Sequence, residues 1–158
     1  MDTTPLRDAH RALLEAAATV ASTGAGNPPP EGEWNAAQIL AHVSLVDAVT
    51  VTAVVSAASG AVTAYDNRVA QDSWTLGRVI ALGGGEAGLR ERVRLQGEAL
   101  CALVAPVSEA ELDTPVPTLL LSHGQVQVDQ IVPLRDLVTG LAEMELPGHT
   151  KQLLDLLP

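Results

Sequence analysis

The chain has 158 residues, a length that suits one domain with one hydrophobic core. Nine Lys and Arg against nineteen Asp and Glu give a net charge of −10, which argues against binding to nucleic acid or to an anionic membrane surface. Aromatic residues make up only 2 % of the chain and Phe is absent, so the core must consist of Ala, Val and Leu, as in closely packed helices. The single cysteine, Cys101, excludes an internal disulfide and a thiolate zinc site.

The N-terminal residues 1–7 contain no apolar stretch of the signal-peptide type. No run of the sequence approaches the roughly 18 apolar residues that a membrane span requires. We therefore expect a soluble, cytoplasmic protein that folds as a single domain over residues 1–158.

Two long helices are predicted in the first half of the chain. Apolar residues recur at helical spacing over residues 5–21, and the Gly- and Pro-rich residues 24–32 form a connection. The next helix, over residues 35–58, begins with Asn35 as its N-cap and Gln38 in the capping-box position. Its β-branched residues 49–55 favour a strand by propensity, but no turn signal interrupts the run, so a helix is predicted.

The second half contains a short helix over residues 74–82, a long helix over 86–104 and a final helical region over 134–157. Two short apolar arms, 118–122 and 125–132, flank His123 and Gly124 and predict a hairpin. The predicted fold class is therefore all-α: a four-helix bundle with a small hairpin-like insert before the last helix.

Three residues form a candidate metal site. His42 lies on an apolar face of the second helix, and Glu145 and His149 are four residues apart, so that on a helix they project from one side. Two imidazoles and a carboxylate leave coordination positions open, as in catalytic zinc sites. From spacing alone the alternatives stay open, since His42 could be a hydrogen-bonded core residue and the Glu145–His149 pair a solvated contact.

Two short motifs resemble those of a known superfamily. Residues 34–42, WNAAQILAH, resemble the opening W-x-x-x-x-hydrophobic-hydrophobic-x-H of the DinB-like and mycothiol-dependent maleylpyruvate isomerase superfamily. Residues 145–149, ELPGH, are similar to the E-x-x-x-H of the isomerase branch, and residues 149–153, HTKQL, to the H-x-x-Q-L ending of the DinB-like branch. Together these motifs extend the resemblance over the whole chain in element order.

This resemblance implies an up-down-down-up four-helix bundle that holds a divalent metal ion, zinc or nickel, through His42, Glu145 and His149. The sequence departs from the isomerase pattern at Gln152, where that branch often carries Asp. Pro147 lies between two of the three ligands and is expected to kink or restart the helix.

Two classes of function follow. The first is an enzyme, a metal-dependent transferase or isomerase in which mycothiol or another low-molecular-weight thiol attacks a small electrophile; a metal-dependent hydrolase is a variant of it. The second is a non-catalytic metal- or ligand-binding protein related to stress. Either could form a homodimer.

The remaining notable side chains have structural interpretations. His10 and His123 are expected at the surface, and Cys101 is expected to be a small core residue. Trp34 and Trp74 are expected to wedge between helices, with Trp34 alternatively forming the wall of a ligand pocket.

Overall fold

The structure is a computed structural model, which describes residues 1–23, 28–61 and 64–158. The predicted connection over residues 24–32 therefore lies partly outside the described residues. The described helices are α1 (Thr4–Ser22), α2 (Ala36–Ser59), α3 (Arg68–Gln71), α4 (Ser73–Leu82), α5 (Gly85–Val104), α6 (Glu109–Leu112), α7 (Leu134–Gly140) and α8 (Leu146–Leu154). A π-helical turn, Leu141–Glu145, joins α7 to α8, and the strands are β1 (Tyr65–Asp66), β2 (Pro115–Ser122) and β3 (Gln125–Pro133).

The core lies between the long helices, and α2 is central to it. The side chain of Asn35 accepts from the amide of Gln38, whose own side chain accepts from the amide of Asn35, so the predicted capping box is confirmed. At the other end Gly60 ends the helix in the left-handed conformation, with φ of 70°. Helix α2 packs against α5, and α1 packs against α5 and α8. Burial in this core explains why residues 49–55 are helical despite their β-branched side chains.

Helix α2 is also the most apolar segment of the described chain. By length and composition alone it could cross a membrane, so the expectation that no run approaches such a length is wrong for this helix. However, 61 % of its most apolar window is buried inside the fold, as is usual for the core helix of a globular domain.

The strands form one small three-stranded sheet. Strands β2 and β3 make the predicted hairpin, and His123 and Gly124 at its tip have positive φ values of 49° and 71°. The third strand, β1, was not predicted and pairs in parallel with β2, so the fold is mostly helical rather than strictly all-α. A bulge in β3 leaves Gln127 unpaired opposite Leu120 and Leu121 of β2, close to the hairpin tip.

The last helical region is interrupted by the π turn at Leu141–Glu145 and contains Pro147 just after it. In a regular α-helix the amide of residue 147 would donate a hydrogen bond to the carbonyl of Glu143. Pro147 has no amide hydrogen to donate, and its ring would clash with that carbonyl. The chain instead widens into the π turn and then restarts as α8, with Pro147 in the first turn of the new helix. Because residues 146–149 are α-helical, Pro147 does not disturb the spacing between Glu145 and His149.

Candidate metal site

The ring of His42 is buried and held in one orientation. Its side chain is 2 % exposed, and Nδ1 lies 2.7 Å from the carbonyl oxygen of Ala70 in α3. Since a carbonyl can only accept, Nδ1 carries the proton and donates it. In the neutral ring this leaves the lone pair on Nε2.

His149 in α8 is oriented in the same way by a side chain. Its Nδ1 lies 2.7 Å from Oε1 of Gln152, and the amide nitrogen of Gln152 lies 3.5 Å from Oε2 of Glu33. The carboxylate of Glu33 can only accept, which fixes the Gln152 amide with its oxygen toward His149. Nδ1 of His149 is therefore the donor, and the lone pair of the neutral ring is again on Nε2.

The two Nε2 atoms converge on a single carboxylate oxygen. Oε1 of Glu145 lies 3.0 Å from Nε2 of His42 and 3.3 Å from Nε2 of His149. The centroids of the two imidazole rings are 4.7 Å apart. The sequence-predicted residues are thus brought together from α2, the end of the π turn and α8.

This convergence concentrates negative potential at one point. Burial of Glu145 opposes its ionisation, but hydrogen bonds to His149 and His42 outweigh it and hold the pKa of the Glu145 carboxyl well below its usual range. Two ring lone pairs and a carboxylate oxygen would repel one another unless a cation lies among them. That cation can be a proton on a ring or a metal ion.

The three residues fit a divalent metal ion. Their ligand atoms all lie within 4.8 Å of one another. The separations of 3.0 and 3.3 Å from the Glu145 oxygen are close to those measured between neighbouring ligands of a small ion. At about 2.1 Å from a tetrahedral ion, two ligands lie roughly 3.4 Å apart. The hydrogen-bonded Nδ1 atoms also match the way in which metal-bound histidines are usually oriented.

The site opens into a cavity of about 270 Å³. Trp34 forms one wall, with its ring 4.7 Å from that of His42 and stacked 6.2 Å from that of His149. Trp34 therefore takes the alternative role considered for it, as the wall of a pocket. The hairpin tip also lines the cavity, and there Nε2 of His123 lies 3.8 Å from a carboxylate oxygen of Glu33.

Sequence reasoning missed the residues that shape this cavity. The side chain of Asn67 pairs with the backbone of Leu121, accepting from its amide at 2.8 Å and donating to its carbonyl at 2.9 Å. Gln71 donates to the same carbonyl. Both amides belong to a polar segment without periodicity, and nothing in the sequence connects that segment with the end of β2.

Two expectations for single residues are wrong. His10 is buried rather than exposed, with Nε2 3.0 Å from a carboxylate oxygen of the fully buried Asp47 and Nδ1 3.0 Å from the carbonyl oxygen of Leu6. Burial opposes a charge on this ring, but the hydrogen bond to Asp47 and its charge outweigh burial and raise the pKa of His10. Trp74 is 73 % exposed and does not wedge between helices, whereas Cys101 is buried as expected.

Comparison with known proteins identifies the family. The sequence model of the DinB superfamily matches residues 6–137, which include His42 and end before Glu145 and His149. The comparisons with curated proteins and with solved structures gave no match. The match covers most of the chain, and the helical fold and the His–Glu–His cluster of the protein are consistent with the match. The chain belongs to the DinB superfamily.

Proposed function

We propose that the protein binds a divalent metal ion through His42, Glu145 and His149 and acts as a thiol-dependent transferase or isomerase. The observation that carries the proposal is the shared orientation of the two imidazoles. Both rings have Nδ1 engaged with an acceptor and Nε2 directed at the same carboxylate oxygen. A histidine pair that served only packing would have no reason to converge in this way.

The donor set limits the metal and its chemistry. Two imidazole nitrogens and one carboxylate oxygen suit zinc or nickel. A bound divalent ion supplies a Lewis acid that stabilises the thiolate of a small thiol against its free pKa of about 8.5. Within this site Glu145 contributes the balancing negative charge, and Trp34 screens one side of the rings from water.

The metal cluster itself contains no nucleophilic side chain. Ser122 supplies the one hydroxyl among the described lining residues of the cavity; it lies 3.1 Å from Nδ1 of the exposed His123 and makes no hydrogen bond to the metal cluster. A low-molecular-weight thiol such as mycothiol therefore supplies the attacking sulfur in this proposal, and a small electrophile is its partner. A cytoplasmic location goes with the proposal, because that compartment keeps thiols reduced.

The proposal also includes a helix arrangement and an oligomeric state. The up-down-down-up order of the four long helices is the arrangement implied by the family resemblance, and the packing of α1 on α5 and α8 is compatible with it. Homodimer formation stays a prediction.

Metal analysis tests the proposal directly. Protein purified without chelator should contain one zinc or nickel ion per chain by elemental analysis, and His42→Ala should lose it. His123→Ala is the matched control, because it removes a histidine that is 68 % exposed and lies outside the cluster. Absence of metal from the wild-type protein after incubation with zinc or nickel would refute the site.

An activity measurement then separates the two classes of function. The metal-loaded protein should consume a small thiol in the presence of an electrophile such as monochlorobimane, and His42→Ala should not. Stoichiometric metal without thiol transfer to any electrophile tested would favour the non-catalytic alternative.

A further inference from the structure

A second cavity lies on the far side of Glu145 from the metal cluster. It has a volume of about 470 Å³, within the range of small-molecule sites. The hairpin covers it on one side, and α7 and the π turn form the other. Leu121, Ser122 and Glu145 line both this cavity and the metal cavity, so the two spaces share a wall.

The shared wall is held firmly in place. The amide of Asn67 makes two hydrogen bonds to the backbone of Leu121, which lies opposite the bulge in β3. Glu145 is fixed from the other side by its contacts with the two histidines. A molecule in the second cavity would therefore lie beside the metal cluster without entering it.

The lining of the second cavity indicates what it binds. Most of its surface is apolar, with Leu120, Val132 and Leu141 among the aliphatic side chains that line it. Its charged groups are Asp136 and Glu145, and no Lys or Arg is among the described residues that line it. The metal cavity likewise has no Lys or Arg among its described lining residues. Within the second cavity an anionic ligand would face these two carboxylates, with no basic side chain among the described lining residues to offset them.

We infer that this cavity is the binding site for an uncharged, largely apolar small molecule. The inference is independent of the proposed function, because a molecule in this cavity is separated from the metal cluster by the shared wall.

A glycine allows the cavity to be filled without straining the backbone. Gly140 lines the cavity in the ordinary helical conformation, with φ of −60° and ψ of −37°, and a Cβ placed there would meet no atom within 4 Å. Gly140→Leu therefore projects a side chain into the space. A Cβ added to Gly77 in α4 would likewise meet no atom within 4 Å, and Gly77 lines neither cavity, so Gly77→Leu is the matched control.

The test uses two fluorescent probes of similar shape. The neutral N-phenyl-1-naphthylamine should bind at one site per chain, and its sulfonated analogue 1-anilinonaphthalene-8-sulfonate should bind at least about ten-fold more weakly. Gly140→Leu should weaken binding of the neutral probe at least about ten-fold, and Gly77→Leu should leave it unchanged. Equal binding of the two probes, or an unchanged affinity in Gly140→Leu, would overturn the inference.

A second variant tests the role of charge separately from that of space. Met144 lines the cavity and is 76 % exposed, so Met144→Lys introduces a cation with little risk to folding. It should raise the affinity for the sulfonated probe about three-fold or more, and an unchanged affinity would contradict the argument from charge. Metal content measured on the same variants should equal that of the wild type. If the wild-type protein binds no metal, the metal site is refuted, and the probe measurements still decide whether the second cavity binds an uncharged molecule.

Discussion

In the part of the chain that the structure describes, two clusters place a buried histidine against a carboxylate, around His10 and around His42, and they differ in two respects. In the first, His10 lies between Asp47 and the Leu6 carbonyl. One proton on each ring nitrogen then gives both acceptors a hydrogen bond. In the second, two rings share one oxygen of Glu145, and protons on both Nε2 atoms would place two positive rings 4.7 Å apart.

Access separates the clusters as well. The side chain of Asp47 is completely buried, whereas that of Glu145 is 37 % exposed and lines two cavities. The ring of His10 packs directly on α5, where a Cβ added to Gly97 would lie 2.6 Å from it. A buried histidine is thus found both in the structural pair of His10 and Asp47 and in the candidate metal site, so burial alone does not identify a binding site. Convergence of several rings beside an open cavity distinguishes the second.

The largest expected effect is on stability, at the His10–Asp47 pair. Asp47→Ala should lower the free energy of unfolding by about 3–5 kcal/mol, because it leaves a buried imidazole without its charged partner. Urea denaturation measures this. Asp8→Ala, which breaks an exposed pair with Arg11 in the same helix, should cost about 1 kcal/mol or less. Equal losses in the two variants would show that the buried pair contributes no more than a surface contact.

The next effect connects the two clusters through Tyr65, the one tyrosine of the chain. Burial raises its pKa to about 12, the hydrogen bond with Thr50 opposes this, and the charges of Glu145 and Asp47 add to it. Because the folded pKa is raised, the stability that the neutral phenol contributes is complete below about pH 10 and is lost as the pH rises toward about 12. The loss amounts to about 3 kcal/mol.

Tyrosinate absorbance measures this titration for Tyr65 alone. Ionisation should be delayed to about pH 12 or accompany unfolding below it, and a midpoint near pH 10 in the folded protein would contradict the prediction. In metal-free protein, Glu145→Gln should move the midpoint toward lower pH because it removes one of the two charges.

Metal binding should distinguish Glu145 from its neighbour on the π turn. Glu145→Gln removes the negative charge at the point of convergence and should weaken zinc binding by about 10- to 100-fold or more. Glu143 is exposed and outside the cluster, so Glu143→Gln should have no effect. Competition with a zinc-binding dye measures both affinities. Equal losses would mean that Glu145 is not a ligand.

The smallest expected effect is at Gln152, which orients His149 without reaching the point of convergence. Gln152→Leu should weaken zinc binding by about ten-fold, because the ring loses the acceptor that holds its tautomer. Gln152→Glu retains an acceptor and should restore most of the affinity. If the leucine variant binds zinc as tightly as the wild type, the orientation of His149 depends on packing alone.

The long helices were predictable from the apolar residues that recur at helical spacing, and α2 also has a recognisable cap at Asn35 and Gln38, whereas α1 and α5 have no side-chain cap. The candidate site was predictable because Glu145 and His149 are close in the sequence and His42 lies in a recognisable motif. The pair of His10 and Asp47 was not, since the two residues are 37 positions apart and neither has a local signal.

The wall between the cavities was unpredictable for the same reason. Asn67 and Leu121 are 54 positions apart, and an isolated amide in a polar segment does not reveal its partner. Pro147 marked the place where the last helix changes, but not the outcome. A kink, a break and a widened turn all accommodate a proline, and only the packing around the region decides among them.

The π turn makes the chain length of the last helical region a determinant of the site. A π turn contains one more residue than the α-helical turn it replaces, and each residue of an α-helix rotates the chain by about 100°. Removing one residue from Leu141–Glu145 would shorten this turn and swing His149 out of phase with His42 by about that angle. The extra residue thus sets the rotation between the two helices, so that α7 turns its buried side chains toward the core while α8 turns His149 toward His42.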